Sequence, residues 1–248
     1  TKKILLDNNR AHGVEVLHKR KSRKFYGGQV IVCGGAINSP QLLMLSGIGP
    51  KEHLQSVGID VKHDLAGVGQ NLQDHLDICT LVSSSSHTTY DKASRVLSGL
   101  KYLFTTGGPA SSNLAEGGGF VDSKLSADGR PDIQFHFVAA MLDDHGRNIL
   151  PGRGMTIHAC PLRPYSRGEI LLKSSDPMMA PAIQPNYLQD SRDLELMLTG
   201  AELARTLFEQ KAFDGLRDHF IFPESSIHSK DGYIDYIRRK AETVYHPV

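Results

Sequence analysis

Gly34 and Gly35 stand between an apolar run, Val30-Ile31-Val32-Cys33, and a helix-start signal, Ser39-Pro40. Glycines at such a place let the backbone turn tightly or approach a ligand closely. The N–H groups of the helix start that follows can hold an anion, and dinucleotide sites use that geometry. Read alone, the unit is ordinary α/β packing before it is a ligand site, because a lone glycine-rich turn is a weak signal. The twelve histidines offer acid–base chemistry. His158 and Cys160 would share one face of a strand, but a metal needs two further ligands that the sequence does not place, so no metal site is expected. Asp74-His75 and Asp144-His145 are sequence neighbours whose side chains diverge. His246, in Thr243-Val-Tyr-His-Pro-Val248, carries an imidazole that titrates near neutrality and can take a proton. By itself it reads as a polar residue at a strand end.

Several chemistries are excluded by motif. There is no G-x-S-x-G elbow, no G-x-x-x-x-G-K-[ST] loop and no H-E-x-x-H helix. Gly67-Val-Gly69-Gln-Asn-Leu72 nearly matches G-x-G-x-x-G, but Leu72 replaces the third glycine and no clear strand leads into it. With 248 residues and a formal net charge of +1, nothing points to nucleic acid. Cys33, Cys79 and Cys160 are scattered and odd in number, which indicates neither a disulfide framework nor a metal cage. A cytoplasmic location, with peripheral inner-membrane contact as a minor option, is the expectation. The chain opens directly in a strand-like run without Met, so it is expected to be a piece of a longer protein.

The elements that must position these residues follow from pattern. Lys3–Leu6 and His12–Leu17 read as strands around the turn Asp7-Asn-Asn-Arg10. The basic cluster 18–24 reads as a solvated hairpin loop. Residues 30–33 read as a strand buried on both faces. A helix begins at Ser39-Pro40 and ends at Gly47, and another covers 51–57. Residues 67–75 read as a loop. Residues 78–82, 131–138, 155–160 and 168–172 read as strands, and 96–104 as a helix. The spacing of Leu194, Met197, Leu198, Ala201, Ala204, Leu207 and Phe208 predicts a helix over 190–210, and a shorter one covers 231–241. The fold class expected is α+β, an antiparallel sheet with helices on one face joined to an incomplete α/β portion.

Several of these segments, in order, resemble the glucose–methanol–choline (GMC) family of FAD-dependent oxidoreductases. Gly35-Ala-Ile-Asn-Ser-Pro-Gln-Leu-Leu-Met-Leu-Ser-Gly-Ile-Gly-Pro50 is similar to the second family signature. Gly67–His75 resembles the loop beside the flavin, with Ala66 where proline is usual. Ser112–Phe120 resembles the substrate-cavity segment, and Glu242–Val248 the segment of the catalytic histidine. Asp143–Arg147 and Arg163–Gly168 look most like the choline dehydrogenase and bacterial alcohol dehydrogenase branch.

The resemblance implies a partial FAD-binding domain over 1–76, a substrate domain over 77–225 and a return segment over 226–248. It implies FAD contacts at Gly34, Gly35, Ala36, Asn38, Ser39, Asn71, Asp74, His75 and Pro247. Asn113 and Glu116 would meet the substrate, and His246 would be the base. The implied reaction is oxidation of a primary alcohol, choline or an aliphatic or aromatic alcohol, to the aldehyde by hydride transfer to flavin N5. The segment around Glu116 lacks the enriched aromatics that a quaternary-ammonium cage would suggest. The family's G-x-G-x-x-G unit does not occur in the sequence, so FAD is expected in the full-length protein and not in this chain alone. The competing reading is a non-catalytic, stand-alone binding module that keeps the substrate-domain fold.

Overall fold

The computed structural model describes residues 1–86, 89–126 and 128–247, with backbone alone at 145, 246 and 247. Two compact units emerge. Unit 1 holds Thr1–Gln73 and Ser166–Gln189, with Pro247; unit 2 holds Asp74–Tyr165 and Asp190–His246.

Unit 1 begins with an antiparallel meander of β1 (Lys3–Asp7), β2 (Arg10–His18) and β3 (Lys21–Tyr26). Asn8 and Asn9 turn the first hairpin at φ 48° and 61°, a left-handed pair that asparagine tolerates. Lys19 and Arg20 make the second turn in the same way, at φ 49° and 63°. The basic cluster is thus not all loop: it supplies that turn and the first residues of the fully exposed β3.

Helix α1 (Gly35–Leu45) starts earlier than Ser39-Pro40 suggested. Gly34 is its N-cap and Pro40 lies inside it, because Ser39 Oγ accepts backwards from the Gly34 N–H at 3.1 Å rather than capping a new helix. Gly47 ends the turn at φ +87°, as a C-terminal glycine should. Residues 30–33 form no strand. A strand needs ladder partners on its edges, and no described strand pairs with this run; Ile31 is 78% exposed.

Next come β4 (Ile48–Gly49), α2 (Lys51–Ser56), β5 (His63–Asp64) and β6 (Gln70–Leu72). Part of the expected 67–75 loop is therefore strand. Its partner comes from far along the chain.

Unit 2 contributes β7 (Asp74–Ser83), α3 (Arg95–Thr105), β8 (Ala115–Val121), β9 (Ile133–Val138) and β10 (Gly154–Pro161). The chain then returns to unit 1 for β11 (Gly168–Leu171) and β12 (Ala182–Gln184), which pair in the order β12-β11-β6. This pairing carries 166–189 into unit 1, although the sequence placed it within 77–225. Met44, Leu54, Val68, Ile170 and Leu172 form the unit 1 core.

The junction depends on Gly69. Its carbonyl accepts from Ile170 N at 2.6 Å, its φ is +82°, and an added Cβ would stand 2.2 Å from the Ile170 oxygen. Gly69→Ala is therefore expected to destabilise the chain by more than about 1 kcal/mol. Thermal unfolding checks this, and an unchanged Tm would refute it.

Unit 2 ends with α4 (Ser191–Phe208), β13 (Phe220–Phe222), α5 (Lys230–Lys240) and β14 (Glu242–Pro247). Its sheet runs β13-β7-β10-β9-β8, with β14 also on β7. β7, β9 and β10 are antiparallel neighbours, and β10 is buried along its whole length. Helix α4 packs on one face. Gly200 permits the approach, since a Cβ there would meet the Ala159 Cβ at 3.1 Å. Asp190 caps α4 by accepting from Arg192 N at 3.0 Å. The Tyr236 hydroxyl of α5 donates to the Cys79 carbonyl in β7. Helix α3 buries none of its residues, and Leu103 and Phe104 stay exposed. No described helix is long and apolar enough to cross a membrane.

Candidate functional site

In unit 1 Gly34 lines a cavity of about 480 Å³, together with Val30, Val32, Asn38 and Gln41 among others. Gly34, Gly35, Ala36 and Asn38 are exposed and Ser39 is half-buried. A Cβ on Gly34 would press within 3.0 Å of Ser39 N, whereas Gly35 has open space and needs glycine for its φ of +74°. The exposed start of the eleven-residue α1 borders a hollow with mixed polar and aliphatic lining, and its free N–H groups suit the anionic part of a dinucleotide. Asn71, also exposed, holds φ +63° in β6.

In unit 2, two residues expected to face the flavin are engaged in holding strands together. Asp74 accepts from the Thr243 hydroxyl, tying β7 to β14. His75 is buried, and its Nε2–H donates to the Leu162 carbonyl at 3.0 Å. Both begin β7.

A second cavity, of about 250 Å³, opens on the sheet face opposite α4. Asp77, Asn113, His136 and His158 give its polar lining, and Leu142 and Val244 are among its apolar residues. The antiparallel register explains the grouping: His158 stands opposite Cys79 on β7 and opposite His136 on β9. Residues two apart along a strand share a face, so Asp77 joins them. Asp77 and His158 are 2% and 6% exposed, and Asp77 Oδ2 lies 2.9 Å from His158 Nδ1. Burial pulls the imidazole pKa down, but the Asp77 hydrogen bond and charge outweigh it and the net shift is upward.

Of the residues singled out from sequence, Asn113 lines this cavity. Glu116 does not: its carboxylate accepts from the Tyr90 hydroxyl at 2.6 Å, and that bond and one from Ser112 hold its pKa below the usual range. His246 and Pro247 lie on β14, beyond cavity-lining Val244; their side chains fall outside the described residues. Asp77, His136 and the pairing of His158 were missed. The sequence singled out His158 only beside Cys160, and only the register between strands brings it together with His136 and Asp77. No described group of three or more His, Cys, Asp and Glu could hold a metal. The three cysteines are free thiols, with Cys79 and Cys160 buried and each pushed up to about 12, chiefly by burial.

Close by on β14, Glu242 is raised from its ordinary 4.5 to about 7 by burial and by the hydrogen bond and charge of Asp144, with Arg147 opposing. A carboxyl whose folded pKa lies above its unfolded one binds its proton more tightly when folded. Its contribution to stability is thus full below about 4.5 and is lost as pH rises through about 7. Glu242→Gln is expected to flatten this part of the stability–pH curve in urea titrations. An unchanged slope between those values would contradict it.

Comparison with known proteins places these features. The GMC oxidoreductase sequence profiles match residues 1–77 and 164–248. An alcohol dehydrogenase [acceptor] of Pseudomonas putida is 44% identical over 257 residues, covering 99% of this chain and 46% of that protein. Human mitochondrial choline dehydrogenase is 39% identical over 251 residues, covering 99% of this chain and 42% of that protein. The crystal structure of a formate oxidase superposes with a TM-score of 0.90 at 25% identity, over 100% of this chain and 49% of that one. Pyridoxine 4-oxidase from Mesorbium loti gives a TM-score of 0.84 at 25% identity, over 99% and 45%. The chain spans somewhat less than half the length of these curated relatives. With both profiles matched in order along it, the chain belongs to the GMC oxidoreductase family.

Proposed function

We propose that the chain is part of an FAD-dependent oxidoreductase that oxidises a primary alcohol, choline or an aliphatic or aromatic alcohol, to its aldehyde. The observation that carries this reading is the unit 2 cavity. It combines hydrogen-bonding groups at Asn113, His136 and His158 with an aliphatic wall, and it borrows Val244 from the strand that bears His246. Its relatives named for alcohol and choline oxidation support the substrate class.

Bound FAD would supply a hydride acceptor at flavin N5 for the hydrogen on the alcohol carbon. Gly34, Gly35, Ala36, Asn38 and Ser39 would hold it through the α1 N-terminus, with Asn71 and Pro247 as further contacts. His246 takes the hydroxyl proton on its imidazole, which suits a base working near neutral pH. Asn113 orients the hydroxyl by hydrogen bonding. Tyr90 keeps the Glu116 carboxylate occupied, and the described cavity lining contains no Phe, Tyr or Trp ring to face a quaternary ammonium. A neutral alcohol therefore fits better than choline.

The test is a panel of alcohols offered to the whole protein with an artificial electron acceptor. Alcohol-dependent bleaching of the flavin band supports the reading, and a flavin that no primary alcohol reduces refutes it. No G-x-G-x-x-G turn occurs in these 248 residues, and that turn is what grips a dinucleotide pyrophosphate. The chain purified alone is accordingly expected to carry little FAD, and a stoichiometric yellow preparation would overturn that expectation.

A further inference from the structure

Helix α3 turns an apolar face to solvent, and the chemistry given so far makes no use of it. The helix owes its form to local causes. Ser94 Oγ accepts from Leu97 N at 3.3 Å at one end. Thr106 closes the other at φ 53°, its N–H bonded to the Tyr102 carbonyl at 2.8 Å. At about 100° per residue, Val96, Leu97, Leu100, Leu103 and Phe104 fall within an arc of about 120°. A core-facing stripe would be buried, yet all five are exposed, Leu103 by 76% and Phe104 by 85%. The charges around this arc have one sign. Lys101 borders it on one side, Arg95 stands on the other, Lys92 precedes the helix, and residues 92–115 contain no Asp or Glu. The nearest carboxylates in the chain are occupied: Asp91 accepts from Met141 N and Gly154 N at 2.7 and 2.9 Å, and Glu116 from the Tyr90 hydroxyl.

An apolar stripe with a cationic border is the pattern of a helix lying in a lipid–water interface, with Leu and Phe among the acyl chains and Lys and Arg at anionic headgroups. Eleven residues rise about 16 Å, enough to lie on a bilayer and too short to cross one. A second copy fits less well, since a two-fold pairing of this face would bring the same cations together. We propose that α3 docks the protein on an anionic lipid surface, its apolar arc entering the bilayer and Arg95 and Lys101 meeting lipid phosphates. The chain leaves α3 through Pro109–Ser111 into Asn113 and Leu114 of the unit 2 cavity. Docking thus holds that segment close to the membrane, where molecules with apolar tails accumulate.

The experiment is flotation of the whole protein with vesicles of phosphatidylcholine, alone or mixed with phosphatidylglycerol. The expected result is binding to the mixed vesicles that weakens with added salt and on pure phosphatidylcholine. Phe104→Gln should lower the partition coefficient about tenfold, the effect of withdrawing one large apolar side chain from the bilayer. Lys101→Gln should lower it about fivefold, and only on the mixed vesicles. Should Phe104→Gln fail to fold, as judged by circular dichroism, Phe104→Trp supplies the second reading: mixed vesicles should shift its emission to the blue relative to the parent protein. A face covered by the rest of the whole protein would give no flotation, and that result overturns the proposal. So do flotation undiminished by Phe104→Gln, an indole emission that vesicles leave unmoved, and light scattering that shows a dimer lost in Phe104→Gln. No flavin chemistry enters the test, so the alcohol reading can fail without touching this inference, and the inference without touching that reading.

Discussion

Replacing His246 with alanine is expected to lower kcat for primary alcohols in the whole protein by about a hundred- to ten-thousandfold, the usual worth of a positioned general base. The barrier rises because the hydroxyl proton must then leave to water while the carbon–hydrogen bond breaks. Substrate affinity should change far less, since the cavity lining of Asn113, His136 and His158 is untouched. Rapid-mixing measurements of flavin bleaching separate the two effects. A variant that reduces its flavin at the wild-type rate would rule out His246 as the base.

Phe208→Ala is expected to destabilise the chain by about 3–5 kcal/mol. Phe208 is fully buried at the end of α4, and its ring meets Phe213 and Phe220 edge-on at 5.1 and 6.4 Å between centroids. Truncation loses the transfer energy of a whole aromatic ring and leaves a hollow whose walls are other rings, on a face that also includes Phe137. Rigid aromatic walls collapse poorly into a void, which puts the cost toward the upper end. Urea unfolding monitored by circular dichroism gives the value. A loss under about 1 kcal/mol would mean that the α4 face does not carry unit 2.

Elements with local causes were legible in the sequence. Helix α4 declared itself by apolar spacing and by Asp190, and the structure buries Met197, Leu198, Ala201, Ala204 and Phe208 as that spacing requires, though Leu207 is 41% exposed. The Asn8-Asn9 turn was local too. What escaped depended on distant partners. Val30–Cys33 has the composition of a buried strand, yet composition cannot supply a ladder. The opposite error hid β8: Ala115–Val121 carries three successive glycines, poor strand formers, and it is strand because β9 pairs with it. The Asp77–His158 contact joins residues 81 positions apart, and no periodicity within either segment encodes it. For the glycine turn and His246, the residues alone favoured bland readings, and the ordered family resemblance gave them roles.

The β6–β11 pairing also constrains the order in which this chain can fold. Gln70 and Glu169, which hydrogen-bond through their side chains at 3.1 Å, are 99 residues apart. Nearly all of the intervening chain, Asp74–Tyr165, belongs to unit 2. During synthesis β6 must wait, edge unpaired, until β11 has been made. Closing so long a loop costs less once its interior has become compact. Assembly of β7, β9 and β10 therefore shortens the search that brings β11 home, and the unit 1 sheet closes only after them although β6 is made first. A ribosome-bound nascent chain ending before Ser166 would expose this as a protease-sensitive unit 1.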